Sequence, residues 1–161
     1  MDEILEILAK DARITPEEIA KLTRKSVEAV KKGIKSHESD GTILGYKTVI
    51  DHDKVRDNSS YVQALIEVRL SPEKNLGFDH LAERIYSFPE VKSCYLLSGD
   101  YDLLVIIEGD NIQTVANFVA LKLSPMENVR GTTTHFILKR YKEDGHILKK
   151  KQLGKRPSIS Y

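Results

Sequence analysis

The chain has 161 residues with 25 Lys and Arg against 24 Asp and Glu, a formal net charge of +1, so any attraction to a polyanion must come from how charge is distributed. One cysteine, Cys94, rules out an internal disulfide and suits a reducing compartment. No apolar run approaches a membrane span and Met1-Asp2-Glu3 lacks the cationic start of a signal peptide, so a cytoplasmic protein of one or two small domains is expected.

The first expected element is an amphipathic helix with Ile4, Leu5, Leu8 and Ala12 on one face. A second begins at Thr15-Pro16-Glu17-Glu18. Thr15 can cap it, Pro16 fits the first helical position and Glu18 completes a capping box, while Ile19, Ala20 and Leu22 give it a short buried side. Arg24-Lys25 reads as a tight turn and Ser26 as the cap of a third helix. Between residues 22 and 35 five basic groups (Arg24, Lys25, Lys31, Lys32, Lys35) meet one acid, Glu28, whereas the rest of the first 60 residues has six basic groups and eleven acids. Charge gathered on one helix in this way is the footprint of an element that meets phosphates. Val27, Val30 and Ile34 form its inward stripe. Gly41-Thr42-Ile43-Leu44-Gly45-Tyr46-Lys47-Thr48-Val49-Ile50 then reads as a glycine-punctuated β-wing. Residues 1–50 are therefore expected to be a winged helix-turn-helix whose third helix enters the major groove of DNA. Lys31, Lys32 and Lys35 are placed to neutralise phosphates; Ser26, Glu28 and Ala29 lie nearer the base edges, as does Arg24 if the turn lets it reach, and Lys25 in the turn completes the expected DNA-binding set.

Residues 51–60 are polar and turn-rich, the expected linker. From Tyr61 to Leu70 the chain alternates, with Val62, Ala64, Ile66, Val68 and Leu70 on one face. Phe78, Leu81, Ala82 and Ile85 recur at helical spacing up to Pro89. Strands Val91–Ser98 and Tyr101–Glu108 follow, separated by Gly99-Asp100. Asn111 can cap a helix carrying Ile112, Val115, Ala116, Val119 and Leu123, and a long last strand is expected from Val129 to about Tyr141. Strand, helix, strand, strand, helix, strand is the ferredoxin-like βαββαβ order, so residues 61–141 form the second domain and the class is α+β. Tyr61, Leu65, Tyr95, Leu97 and either Leu104 or Ile106 leave the open face of its sheet partly apolar, which suits sheet-to-sheet dimerisation. Ser98-Gly99-Asp100-Tyr101-Asp102 and Gly131-Thr132-Thr133-Thr134-His135 carry carboxylates, hydroxyls and a close-approach glycine suited to the charged groups of an amino acid. Residues 142–161 make a basic tail with six basic groups and two acids, in which Ile147-Leu148 and Leu153 to Ile159 could add a strand to a neighbour. Five histidines (His37, His52, His80, His135, His146) show no metal-ligand spacing and flank no nucleophile motif, so no enzyme, metal or cofactor is expected.

The chain resembles the Lrp/AsnC (leucine-responsive, asparagine-responsive) transcription regulators over nearly all of residues 1–141. The likeness rests on Asp11-Ala12-Arg13, Ile19-Ala20, Ser26, Val30, Ile34 and Gly41 to Tyr46, then on Val91 to Tyr95, Ser98 to Val105, Thr132 and Thr134. The resemblance implies a sequence-specific DNA-binding regulator that is a homodimer or a larger homo-oligomer such as an octamer. It further implies an effector, often an amino acid, bound between dimers by Gly99, Asp100, Tyr101 and Asp102 with Thr132 and Thr134 nearby. Arg24 stands where the family's turn usually has glycine, Lys25 replaces a common apolar residue, Gly33 replaces a frequent arginine, and His37 a packing leucine. Two other readings compete: a non-specific architectural DNA-binding protein, and a metabolic sensor module whose helical front contacts protein.

Overall fold

The computed structural model describes residues 2–55, 61–71 and 77–148. The expected tail beyond residue 148 and the linker residues 56–60 lie outside the described residues. The chain divides into two compact units, residues 1–50 and 51–161.

The first unit is built from α1 (Glu3–Lys10), α2 (Pro16–Thr23) and α3 (Val27–Ser39). Each starts on a side-chain cap that satisfies a free helix N–H. Asp2 accepts from the Ile4 N–H at 3.0 Å, and Ser26 Oγ from the Ala29 N–H at 3.2 Å. Thr15 and Glu18 close both arms of the capping box. The core is small: Ile4, Ile19, Ala20 and Val30 are buried, with Ile7, Leu8, Ile14, Val27 and Ile34 packed around them. Gly33 belongs to this packing, because a Cβ there would meet the Ile4 δ-methyl at 2.9 Å. Its helix cost is thus linked to the close approach of α1.

Three expectations fail in this unit. Ala12 lies beyond the end of α1 and is exposed, and Leu22 is 65% exposed instead of buried, since Ile19 and Ala20 already fill the small contact. No strand forms at residues 41–50, so the wing hairpin is absent. Leu44 is 96% exposed and Tyr46 and Ile50 about half exposed, and an isolated two-stranded ribbon with so little apolar cover is marginal. Tyr46 instead donates its hydroxyl to Glu38 at 2.9 Å.

In the second unit β1 (Val62–Leu70), α4 (Asp79–Tyr86), β2 (Val91–Leu96), β3 (Leu103–Gly109), α5 (Ile112–Phe118) and β4 (Val129–Phe136) follow the βαββαβ order. The sheet order is β2-β3-β1-β4 with every neighbour antiparallel. Ala64, Ile66, Val68 and Leu70 of β1 and Leu103, Val105 and Ile107 of β3 meet Leu81, Ile85, Val115, Phe118 and Leu123 in one buried cluster. Period-two alternation on the strands and 3.6-period spacing on the helices place these side chains together. The register puts both Leu104 and Ile106 on the opposite face, with Leu65 and Tyr95.

Element ends differ from expectation where tertiary hydrogen bonds compete. α5 stops at Phe118 and the chain continues as a π-helical turn, Val119–Leu123. β4 ends at Phe136, not Tyr141; past it the Ile137 N–H still bonds the Gln63 carbonyl, after which Leu138 is exposed. A two-residue ladder, β5 (Lys142–Glu143) with β6 (His146–Ile147), then turns through Asp144-Gly145, so the start of the expected tail is a small hairpin.

Candidate functional site

Two places gather the residues singled out from the sequence. The first is the turn into α3. Arg24 closes α2 in the left-handed region (φ 55°, ψ 31°), a conformation that ordinarily favours glycine, and its N–H and that of Lys25 both bond the Ala20 carbonyl. The turn therefore takes a left-handed geometry without a glycine. Glu28, Lys32 and Lys35 recur at i, i+4 and i+7 on the helix face opposite Val27, Val30 and Ile34, and all three are exposed.

The cations do not all stand free. Lys25 Nζ lies 3.7 Å from Glu3 and 4.0 Å from Asp2, and Lys31 Nζ lies 3.1 Å from Glu17. These contacts are solvent-exposed or nearly so, hence weak and screened by salt. Among the described residues Arg24, Glu28, Lys32 and Lys35 make no ion pair. His37 reaches back to the start of α1, its Nε2 3.0 Å from Asp2 Oδ2. That hydrogen bond, followed by the one from the Ile4 N–H, holds the Asp2 carboxyl below its ordinary range. A polar latch thus occupies the place where the resemblance expects a packing leucine.

The second place is one end of the sheet, where β1 and β2 finish and β3 and β4 begin. Between β2 and β3 runs a six-residue loop, not the expected two-residue turn: the Leu97 N–H bonds the Asp102 carbonyl at 2.8 Å. Asp102 is drawn away from β2 by β1. Its N–H donates to the Val68 carbonyl at 3.0 Å and its Oδ2 accepts from the Leu70 N–H at 2.7 Å. The register of β1 against β4 slips between Arg69 and Leu70, and the carboxylate satisfies the N–H at that irregularity. Gly99 sits at φ +149° with open space around it, and Ser98, Gly99 and Asp100 are exposed while Tyr101 is half-buried.

Across β1, Thr132 pairs with Val68 and Thr134 with Ile66, both half-buried. The loop and the start of β4 therefore share the end of β1, with Thr132 beside the residue whose carbonyl holds Asp102. Thr134 lies two residues further in. Both threonines lie on the side of β4 that faces the helices, while Thr133 and His135 face the other way, where His135 Nε2 is 3.1 Å from Glu67.

Sequence reading missed a third cluster at the opposite end of β1. Tyr61 donates to Glu108 at 2.6 Å, stacks on His52 at 4.0 Å between ring centroids and lies 4.8 Å under the Arg140 guanidinium, which also bonds Gln63. Burial, then the Glu108 hydrogen bond, pushes the Tyr61 hydroxyl well above its ordinary pKa. No local spacing announces a cluster drawn from residues 52, 61, 63, 108 and 140. Among the described residues no group of His, Cys, Asp and Glu could hold a metal, and no helix is long and apolar enough to cross a membrane.

A three-helix unit with a basic outward face, followed by a βαββαβ unit with a polar loop at one sheet end, defines a two-part molecule of binding elements. Residues 63–147 match the Lrp/AsnC ligand binding domain. The uncharacterized HTH-type transcriptional regulator YugG of Bacillus subtilis is 46% identical over 158 residues, covering 98% of this chain and 95% of that protein. The HTH-type transcriptional regulator LrpA of Pyrococcus abyssi is 32% identical over 139 residues, 86% of this chain and 94% of its own. A transcriptional regulator from Neisseria meningitidis, solved as a complex with L-Met, superposes with a TM-score of 0.68 at 25% identity, covering 88% of this chain and 89% of that one. The chain belongs to the Lrp/AsnC family of transcriptional regulators.

Proposed function

We propose that this protein is a DNA-binding transcription regulator whose residues 1–50 act as a helix-turn-helix reader and whose residues 61–141 bind a small effector and assemble the homo-oligomer. The observation that carries the reading is the α2–α3 junction: a left-handed turn at Arg24 and a following helix with Lys32 and Lys35 exposed opposite its buried stripe. Arg24, Lys25, Ser26, Glu28, Ala29, Lys31, Lys32 and Lys35 form the DNA face. Lys31 and Lys25 exchange their carboxylate partners for phosphates as counterions are released. Replacing Lys32 by Glu is expected to abolish the salt-dependent shift of upstream DNA in a gel assay while leaving the oligomer's mass unchanged. Undiminished binding by that variant would sink the groove assignment.

The effector is an amino acid or similar small zwitterion, held by Gly99, Asp100, Tyr101 and Asp102 with Thr132 and Thr134. The L-Met found in the Neisseria meningitidis regulator supports that class. Asp102 is expected to serve twice, because one oxygen braces Leu70. Asp102→Asn is therefore a better test than Asp102→Ala: the amide oxygen can still accept from the Leu70 N–H while the charge is lost. In a thermal-shift screen of amino acids the wild type should show a raised midpoint with a hit, and Asp102→Asn should keep the unliganded midpoint but lose that rise. An intact rise would remove Asp102 from the site.

A further inference from the structure

We infer that Glu28 is the specificity-determining residue of the reading helix and that it selects a cytosine in each DNA half-site; this rests on the helix-turn-helix reading above. Glu28 stands one turn before Lys32 and two before Lys35 on the outward stripe of α3, in the helix's first turn. It is exposed and has no hydrogen-bond or ion-pair partner among the described residues, although Lys32 lies at the i+4 position. Each neighbouring group with a structural task is already engaged. Ser26 Oγ accepts from the Ala29 N–H, Lys31 holds Glu17, and Lys25 holds Glu3 and Asp2. Glu28, the one acid of this turn and helix start, is exposed, and no hydrogen bond or ion pair among the described residues occupies its carboxylate.

A carboxylate carried into a groove walled by phosphates is repelled unless it finds a donor. An ionised carboxylate can only accept, and in the major groove the base donors are the exocyclic amines of cytosine and adenine. Adenine presents its N6 amine beside the acceptor N7, which repels a second carboxylate oxygen. Cytosine N4 has no such acceptor on its own edge, so it is the favoured partner. Glu28 would thus act chiefly by exclusion: it tolerates DNA contact where cytosine supplies the hydrogen bond and weakens it elsewhere. Lys32 and Lys35, on the same stripe, supply the sequence-independent attraction that makes such exclusion useful.

The test is selection of bound sites from random DNA by the full-length wild type, Glu28→Gln and Glu28→Ala, with circular dichroism to check that each variant folds. The wild type should enrich one C·G pair at a fixed place in each half-site, and mutating that pair should weaken binding roughly 5- to 100-fold. Glu28→Gln should shift the same place towards A·T, because an amide pairs with adenine N6 and N7. Glu28→Ala should lose preference at that position alone and bind random DNA at least as well as the wild type. An enriched motif identical in wild type and Glu28→Ala would overturn the assignment while leaving the DNA reading intact. A wild type that enriches nothing and shows no salt-dependent DNA binding would overturn both.

Discussion

The two units solve the problem of stability differently, although one chain builds both. Among the described residues, the first unit buries four apolar side chains, Ile4, Ile19, Ala20 and Val30, whereas the βαββαβ unit buries thirteen in one cluster. A unit of fifty residues covers too little apolar surface to lean on burial alone. It adds three capped helix starts and exposed or half-exposed polar ties: Asp2 with His37 and Lys25, and Glu17 with Lys31. The lesson is one of division of labour. The first unit supplements a small apolar core with helix caps and weak surface ties that salt can screen, and the sheet unit rests on a larger buried core.

The comparison breaks first at the core. Ile66 is fully buried, and Ile66→Ala is expected to cost about 2–5 kcal/mol by removing methylenes from a packed centre. Denaturant titration followed by far-UV circular dichroism should show two transitions, the helical unit melting first, with Ile66→Ala shifting only the second. A single transition that moves as a whole would mean that the units share one cooperative core.

Acid should sharpen the contrast. Asp2, Glu17, Glu18 and Asp40 of the first unit all have carboxyl pKa values held below the ordinary range. The chief causes are the His37 hydrogen bond for Asp2, a backbone N–H for Glu17, the Thr15 N–H for Glu18 and the Thr42 hydroxyl for Asp40. In the second unit Glu90 is lowered too, chiefly by its hydrogen bond from Lys122. A depressed folded-state pKa stabilises above the unfolded value and loses that contribution as pH falls through the folded one. The first unit should therefore weaken before the second once pH drops below the ordinary carboxyl values of 3.8 and 4.5, and Asp2→Asn should flatten its acid response. Loss of the sheet unit first on acidification would refute this.

The smallest expected change is at Gly33. Alanine gains about 1 kcal/mol of helix propensity but presses a Cβ to 2.9 Å from the Ile4 δ-methyl, the movable end of a side chain. The two effects oppose, so Gly33→Ala should alter stability by less than ~1 kcal/mol. A loss of several times that would show that α1 and α3 cannot adjust.

The sequence by itself determined what rests on local chemistry. Thr15-x-x-Glu18, Ser26 and Asn111 announce helix starts because capping involves neighbours three residues apart, and the cap contacts are all present. Alternation from Val62 to Leu70 and helical spacing through Leu81 and Ile85 announced the βαββαβ order, since burial of one face imposes a period. Only the tertiary structure decided what depends on distant partners. The wing at 41–50 was expected from its glycines and apolar residues, but among the described residues nothing covers Leu44. The Gly99-Asp100 turn became a six-residue loop because β1 claims Asp102, and Lys25 and Lys31 found acids on α1 and α2. Such contacts join residues far apart in the chain, and no short-range pattern encodes them.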